Sequence, residues 1–173
     1  REAGGGMIFF VRTAGRNDLQ AISELLGETW HDTYDGIYGT QKVSEITASW
    51  HSVAALEPRL SRPESEFIVA DDGTRLGGVA FAASSDPEKK LVVLHQLYVR
   101  PDCQRQGIGR DLLNEITDAF PDATRMRIEV EAANEKAVRF YVAHGFAEIG
   151  RTENCGSADS GIPAVVYERQ LGG

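Results

Sequence analysis

The sequence lacks the features that mark a membrane-spanning, disulfide-stapled or metal-bound protein. It contains no apolar stretch of about 18 residues or more, the length that predicts a transmembrane helix. Its cysteines, Cys103 and Cys155, are far apart and form no C-x-x-C pair, which argues against a disulfide framework or a zinc scaffold. No group of potential ligands has metal-binding spacing. We therefore predict reduced thiols, a cytoplasmic location, no membrane association and no metal.

An excess of basic residues is also absent. Lys and Arg number 18 against 26 Asp and Glu, which gives a formal net charge of −8 at pH 7. A protein that binds nucleic acid through its phosphates needs a basic surface, so we expect no nucleic-acid partner. An acidic surface can attract a cationic small molecule, although it also serves solubility alone.

What remains is an ordinary globular composition. The chain has 173 residues, of which 42% are hydrophobic and 25% charged. That length suits one domain with a substantial core. We interpret residues 1–6, which precede Met7, as an expression-tag remnant, and residues 7–173 as a single domain.

Hydrophobic periodicity predicts that strands and helices alternate along the chain. Apolar residues from Leu19 to Trp30 repeat at helical spacing after a candidate helix cap at Asn17 and Asp18. The nearly continuous apolar run Leu91–Val99 is typical of a strand at the centre of a covered sheet. This order predicts an α/β domain with a mixed sheet. The remaining predicted elements are a strand at 8–12, a helical region at 42–60, strands at 67–70, 76–83, 126–130, 146–150 and 164–169, and helices from 108 and at 134–144.

A glycine-containing turn follows the predicted central strand. The segment from Gln104 to Arg110 reads Gln-Arg-Gln-Gly-Ile-Gly-Arg and leads into a predicted helix. Glycines allow a tight turn and close approach of a ligand, and a helix N-terminus offers unpaired N–H groups to an anion. A pyrophosphate would suit such a turn. An ordinary strand-to-helix connection is the alternative, because the segment lacks the third glycine of a dinucleotide fingerprint.

A second motif lies about thirty residues further along. Asn134, Ala137, Val138 and Tyr141 are spaced to share one helix face, and Gly145-Phe146 follows them. Together with the strand ending at Val99 and the glycine turn, this block resembles the GNAT superfamily of acetyl-CoA-dependent N-acetyltransferases. The resemblance implies a GNAT-type mixed, mostly antiparallel central sheet with helices on both faces.

The resemblance also implies where acetyl-CoA would bind. The pantetheine arm would pair with the central strand at Leu97, Tyr98 and Val99, in the gap where this strand spreads from residues 127–131. Asn134 would contact the pantetheine beside Ala137, and Asn134 can also act as a helix cap. The pyrophosphate would meet backbone N–H groups of the turn, which comprises Gln104, Arg105, Gln106, Gly107, Ile108, Gly109 and Arg110.

Two side chains are the candidate catalytic residues. Tyr141 matches the general acid that is frequent in the family, and a buried aromatic residue with a bonded hydroxyl is the alternative. His95 is the titratable group in the row formed by alternate residues from Leu91 to Val99. It resembles the base histidine of arylalkylamine N-acetyltransferases, but it could equally be a hydrogen-bonded core histidine. Neither cysteine has a base beside it in sequence, which favours direct transfer over an acyl-enzyme.

Candidate acceptor-binding residues lie in the first helix and on a later strand. Trp30 and Tyr34 could offer their rings to an ammonium group, while Glu129 could pair with its charge. The alternative for the aromatic pair, which has i, i+4 spacing, is packing in the core.

The leading function is acetyl transfer from acetyl-CoA to a primary amine of a small molecule in a ternary complex. Acetylation of a protein lysine or N-terminus is one alternative, and a non-catalytic acyl-CoA sensor is another. Family members are often dimers, so a homodimer is also expected.

Overall fold

A computed structural model describes residues 8–85, 88, 90–104, 106–155 and 162–172. Residues 1–6, predicted to be a tag remnant, and Arg105 of the glycine turn lie outside this described part. So do residues 156–161, in the loop before Ile162. The helices are α1 (Leu19–Tyr38), α2 (Thr40–Trp50), α3 (Val53–Leu56), α4 (Ile108–Ala119) and α5 (Glu135–Ala143). The strands are β1 (Phe10–Thr13), β2 (Ser65–Asp71), β3 (Leu76–Ser84), β4 (Leu91–Val99), β5 (Arg125–Glu131), β6 (Ala147–Thr152) and β7 (Ala164–Gln170).

The strands of the described residues form a mixed sheet in the order β1-β2-β3-β4-β5-β7-β6. Recorded pairs are antiparallel between β1 and β2, β5 and β7, and β6 and β7, and parallel between β4 and β5. The predicted mixed, mostly antiparallel sheet and the central place of β4 are therefore confirmed. The chain divides into two compact units, one of Arg1–Phe81 with Gln96–Ile116 and the other of Ala82–His95 with Thr117–Gly173.

Within the first unit, helices cover both faces of β3. Apolar residues of α1, among them Ile22 and Leu26, share a buried cluster with Val79 and Phe81. Gly78, which directly precedes Val79, faces the other side of the sheet, because successive residues of a strand face opposite sides. A Cβ atom at Gly78 would lie 2.9 Å from side-chain atoms of Ile108 and Leu112. Glycine at this position therefore lets α4 pack closely on the face opposite α1.

Two local predictions need correction. Asp18 precedes α1, but its side chain makes no hydrogen bond that caps this helix. Its carboxylate instead accepts hydrogen bonds from the Gly15 N–H at 2.7 Å and from Arg12 at 2.9 Å. The helical region predicted at 42–60 is broken after Trp50, and α3 begins where the Ser52 hydroxyl accepts a hydrogen bond from the Ala55 N–H. At Asp18 the nearby charge of Arg12 draws the side chain away from the helix. After Trp50 the local cap at Ser52 starts a new helix, which the hydrophobic period alone did not predict.

The second unit is built around an antiparallel pair and one helix. β5 pairs with β7 along its whole length, from Arg125 opposite Gln170 to Glu131 opposite Ala164. Arg127 and Glu168 form an ion pair at 2.9 Å across this pair. Helix α5 ends before Gly145, whose φ of 90° is the left-handed conformation that favours glycine at this position. The predicted helix stop at Gly145 is confirmed.

Candidate active site

The glycine turn has the geometry of an open helix N-terminus. Gly107 has φ of 80° and stands directly before α4, and its carbonyl accepts the first recorded helical bond from the Asp111 N–H at 3.0 Å. The N–H groups of the preceding positions, Ile108, Gly109 and Arg110, belong to the first turn and have no partner within a helix. A Cβ atom at Gly107 would lie 3.1 Å from the Arg110 guanidinium. The turn can therefore present N–H groups and a nearby cation to an anionic ligand.

The turn is tied to the end of β4. The side-chain amide of Gln104 donates a hydrogen bond to the carbonyl of Val99 at 3.2 Å. Gln106 is exposed, while Leu97, Tyr98 and Val99 are half-buried. The first unit therefore brings together the predicted pyrophosphate turn and the predicted pantetheine strand. Arg105 of that turn lies outside the described residues.

His95 lies on the exposed face of β4. Val92, Leu94 and Gln96 are buried, whereas His95 between them is exposed. The predicted alternation is confirmed, and the interpretation of His95 as a core histidine is wrong. Among the described residues, the ladder between β4 and β5 joins Leu91–Val93 to Arg125–Arg127, at the N-terminal ends of both strands.

Tyr141 lies in a buried aromatic setting in the second unit. It is 4% exposed, and its ring makes edge contacts with Phe140 and Phe146 at centroid distances of 5.2 and 5.3 Å. Burial, followed by the negative charge of Glu131, raises the pKa of Tyr141 well above its ordinary value. The hydroxyl therefore keeps its proton throughout the neutral range.

Asn134 closes the start of α5. Its side-chain oxygen accepts a hydrogen bond from the Ala137 N–H at 3.2 Å, so the predicted capping role is confirmed. Ala137 is half-buried one turn into the helix, and Tyr141 follows on the same face. Glu129 is exposed on β5, whereas Glu131 at the end of the strand is buried.

Neither cysteine has an environment that activates a thiol. Both are free and buried. Burial raises the pKa of Cys103, which lies 3.4 Å from a carboxylate oxygen of Asp102. Burial and the charges of Glu131 and Glu129 raise the pKa of Cys155 strongly. A thiolate is the nucleophilic form, so these surroundings oppose an acyl-cysteine.

Trp30 and Tyr34 are core residues. Each is 1% exposed, and their ring centroids are 4.5 Å apart. Val43 is buried with them, and Trp50 contacts Trp30 edge-on at 5.6 Å. The packing alternative is therefore the one that the structure supports. Because both rings are buried, this arrangement does not place them to contact an acceptor directly.

Sequence reasoning missed the polar groups beneath this aromatic cluster. His51 is 4% exposed, and its Nδ1 lies 3.3 Å from the side-chain amide nitrogen of Gln96. Gln96 in turn bonds Arg59. The sequence signal for this group was Gln96 itself, because it is a polar residue on the buried face of the nearly continuous apolar strand β4. In the described part of the chain, no group of three or more His, Cys, Asp and Glu residues could hold a metal ion. No described helix is long and apolar enough to cross a membrane.

Comparison with known proteins identifies the family. A family model described as an acetyltransferase (GNAT) domain matches residues 34–171. A spermidine N(1)-acetyltransferase of Thermoplasma acidophilum is 24% identical over 143 residues, which cover 79% of this chain and 86% of that protein. A peptidyl-lysine N-acetyltransferase of Escherichia coli, YiaC, is 27% identical over 139 residues, which cover 79% of this chain and 82% of that protein.

A solved structure agrees in fold. The crystal structure of PaiA N-acetyltransferase from Thermoplasma acidophilum in complex with coenzyme A matches with a TM-score of 0.82 and 22% sequence identity. The match covers 95% of this chain and 100% of that one. The chain belongs to the GNAT acetyltransferase family and is an acetyl-CoA-dependent N-acetyltransferase.

Proposed function

We propose that this enzyme transfers the acetyl group of acetyl-CoA to a primary amine of a small molecule, by direct attack in a ternary complex. The observation that carries the proposal is the open turn at Gly107, where a glycine at φ of 80° leads into the N-terminus of α4. Such a turn suits the pyrophosphate of coenzyme A. The neighbouring residues Leu97–Val99 supply the strand for the pantetheine arm, and Asn134 and Ala137 supply a second contact.

The chemistry requires removal of two protons from the acceptor nitrogen and delivery of one proton to the leaving thiolate. A lysine-like ammonium has an ordinary pKa near 10.4, so the amine must lose a proton before it attacks. His95, exposed on β4, takes that proton directly or through water. The amine nitrogen then bonds to the thioester carbonyl carbon and loses its second proton to solvent, and the tetrahedral intermediate breaks its C–S bond to leave a neutral amide. Tyr141 donates its proton to the departing thiolate of coenzyme A.

The base role of His95 has its own test. His95→Ala should flatten the acidic limb of the pH–rate profile. In the wild type the rate would fall at low pH because the imidazole is protonated and cannot act as a base, and the variant has no imidazole to protonate. The measurement is kcat/KM for the amine between pH 5 and 9. An unchanged acidic limb would assign proton removal to water or to another group.

Three observations support direct transfer to a small amine. The surroundings of Cys103 and Cys155 disfavour a thiolate at either residue, so neither is suited to form an acyl-cysteine. Glu129 is exposed on β5 and offers a carboxylate to an ammonium group. A related protein acts on spermidine, as its name states. The buried free thiols also fit a reducing compartment, so the proposal includes a cytoplasmic location.

A protein acceptor is the second candidate. The related E. coli enzyme is named for peptidyl-lysine, so short lysine peptides belong in the same screen. The test is release of free thiol from acetyl-CoA with pooled polyamines, arylalkylamines, aminoglycosides, amino acids and lysine peptides. Release with small amines above the blank without acceptor would support the proposal. Release with peptides alone would replace it with the second candidate.

A further inference from the structure

Three polar side chains on the first two helices form a chain of hydrogen bonds that the proposed reaction does not use. Nδ1 of His31 lies 2.6 Å from a carboxylate oxygen of Asp35, and Nε2 of the same ring lies 3.4 Å from the hydroxyl of Ser44. We call these residues, all of the first unit, the surface triad. A hydroxyl, an imidazole and a carboxylate in this order are the groups that activate a serine nucleophile.

The aromatic cluster beneath the surface triad holds it in place. Trp30 and Tyr34 of α1 are buried together with Val43 of α2. Each residue of the triad directly follows one of these buried residues in the sequence. The backbone that carries each polar side chain is therefore fixed by a packed neighbour, which is the kind of support that a reactive group needs.

A single glycine joins the two helices. Gly39 has φ of 88°, the left-handed conformation that favours glycine. Its N–H donates to the carbonyl of Asp35 at 2.9 Å, and its carbonyl accepts from the Val43 N–H at 3.1 Å. One residue therefore ends α1 and begins α2, and this short turn keeps Ser44 close to the end of α1 that carries His31.

The carboxylate of Asp35 sets the direction of the hydrogen bonds. It has only acceptor oxygens, so Nδ1 of His31 is the donor in their contact. In the neutral ring, Nε2 then carries a lone pair and accepts from the Ser44 hydroxyl. Asp35 thus selects the tautomer in which His31 is a base toward Ser44. The contact at 3.4 Å is long, as catalytic hydrogen bonds often are before a substrate binds.

The triad is open at the end where a nucleophile must be accessible. Ser44 is exposed, whereas the side chains of His31 and Asp35 are 32% and 35% exposed. A reagent from solvent can therefore reach the hydroxyl while the pair behind it remains partly covered.

We propose that Ser44 accepts an acyl group from an activated ester, with His31 as its base and Asp35 as the positioning residue. The hydroxyl proton passes to Nε2 of His31 while Oγ bonds to the ester carbonyl carbon. The bond from that carbon to the leaving oxygen then breaks, the oxygen keeps the electron pair, and His31 returns the proton to it. An acyl-serine and a phenol remain. Aryl esters are the expected class, because a phenolate is a good leaving group.

Covalent labelling of the full chain identifies the nucleophile directly. The probe is an alkyl fluorophosphonate, from which a serine oxygen displaces fluoride, and the modified residue is located by peptide mass spectrometry. We expect one phosphonyl group, on Ser44. Ser49→Ala, at another exposed serine of α2, should label like the wild type, whereas Ser44→Ala should not label. An unmodified Ser44, or equal labelling of other exposed serines, would overturn the proposal and leave the triad as a link between helices.

Ester hydrolysis separates catalysis from packing. The substrate is p-nitrophenyl acetate without acetyl-CoA or amine, so the result does not depend on the proposed function. The rate of interest is the part of phenolate release that Ser44→Ala loses. His31→Gln should lower its kcat about a hundredfold, since a general base typically contributes about 10²–10⁴. Asp35→Asn should also lower kcat, with KM nearly unchanged.

The matched control for these two variants is Asp32→Asn, at an exposed carboxylate next to His31 on α1. It should leave the rate at the wild-type value. A kcat that survives His31→Gln, or a loss of the same size in the Asp32 variant, would contradict the roles assigned to the triad.

Discussion

The two compact units of the chain differ in the chemistry that they offer. The first unit offers N–H groups beside the Arg110 guanidinium at the Gly107 turn, and a buried group of polar side chains around Gln96. The second unit offers oxygen groups, namely the protonated hydroxyl of Tyr141 and the exposed carboxylate of Glu129. In the proposed function, the N–H groups of the first unit would bind the pyrophosphate, and the oxygen groups of the second would serve proton transfer.

The largest expected effect comes from breaking the anion site of the first unit. Gly107→Glu should abolish measurable acetyl-CoA binding, because it places a carboxylate and a strained φ of 80° at the pyrophosphate turn. The control is Gly73→Glu, which has a similar φ of 96° in open space at the turn between β2 and β3. Calorimetric titration with acetyl-CoA measures both. Intact binding in the Gly107 variant would mean that the turn is misassigned.

The next effect concerns the proton donor of the second unit. Tyr141→Phe should lower kcat about a hundredfold and leave acetyl-CoA affinity nearly unchanged, since general acid catalysis typically contributes about 10²–10⁴. Tyr167→Phe, at another buried tyrosine of the same unit, is the control. Steady-state rates and a binding titration give the two quantities. A normal kcat would remove the acid role from Tyr141.

How much the sequence predicts depends on how local each feature is. The bounds of β4, the glycine turn at Gly107 and the helix stop at Gly145 were predictable, because each depends on residues that are adjacent in the sequence. The contacts among Trp30, His51, Arg59 and Gln96 were not, because these residues meet only in the tertiary structure. Burial also decided between interpretations that the sequence left open, exposing His95 and enclosing Trp30 and Tyr34.

A smaller effect tests the buried histidine of the first unit. The pKa of His51 is about 4 in the folded protein against an ordinary 6.5, so the unfolded chain binds a proton more readily. The contribution to stability is therefore present above pH 6.5 and is lost as the pH falls from 6.5 towards 4, by roughly 3 kcal/mol in full. Urea unfolding at pH 7.5 and 4.5 measures this loss. His51→Gln should show a smaller loss than the wild type, and equal losses would contradict the assignment.

The smallest effect concerns the cap of α5. Asn134→Ala should lower the free energy of unfolding by about 1 kcal/mol, the usual cost of losing such a cap. Asn134→Asp should restore stability, since its carboxylate can accept from the Ala137 N–H. The Asp variant separates capping from contact with the pantetheine amides. If Asn134 has both roles, this variant should have normal stability and a raised KM for acetyl-CoA. A normal KM in that variant would leave Asn134 with capping alone.

Direct transfer in a ternary complex is tested most directly by initial rates measured while acetyl-CoA and a responsive amine are both varied. The account predicts intersecting double-reciprocal lines and no release of thiol from acetyl-CoA until the amine is added. Parallel lines, with a burst of thiol in the absence of amine, would contradict it, because they would reveal an acetylated enzyme that the buried thiols of Cys103 and Cys155 are argued not to form.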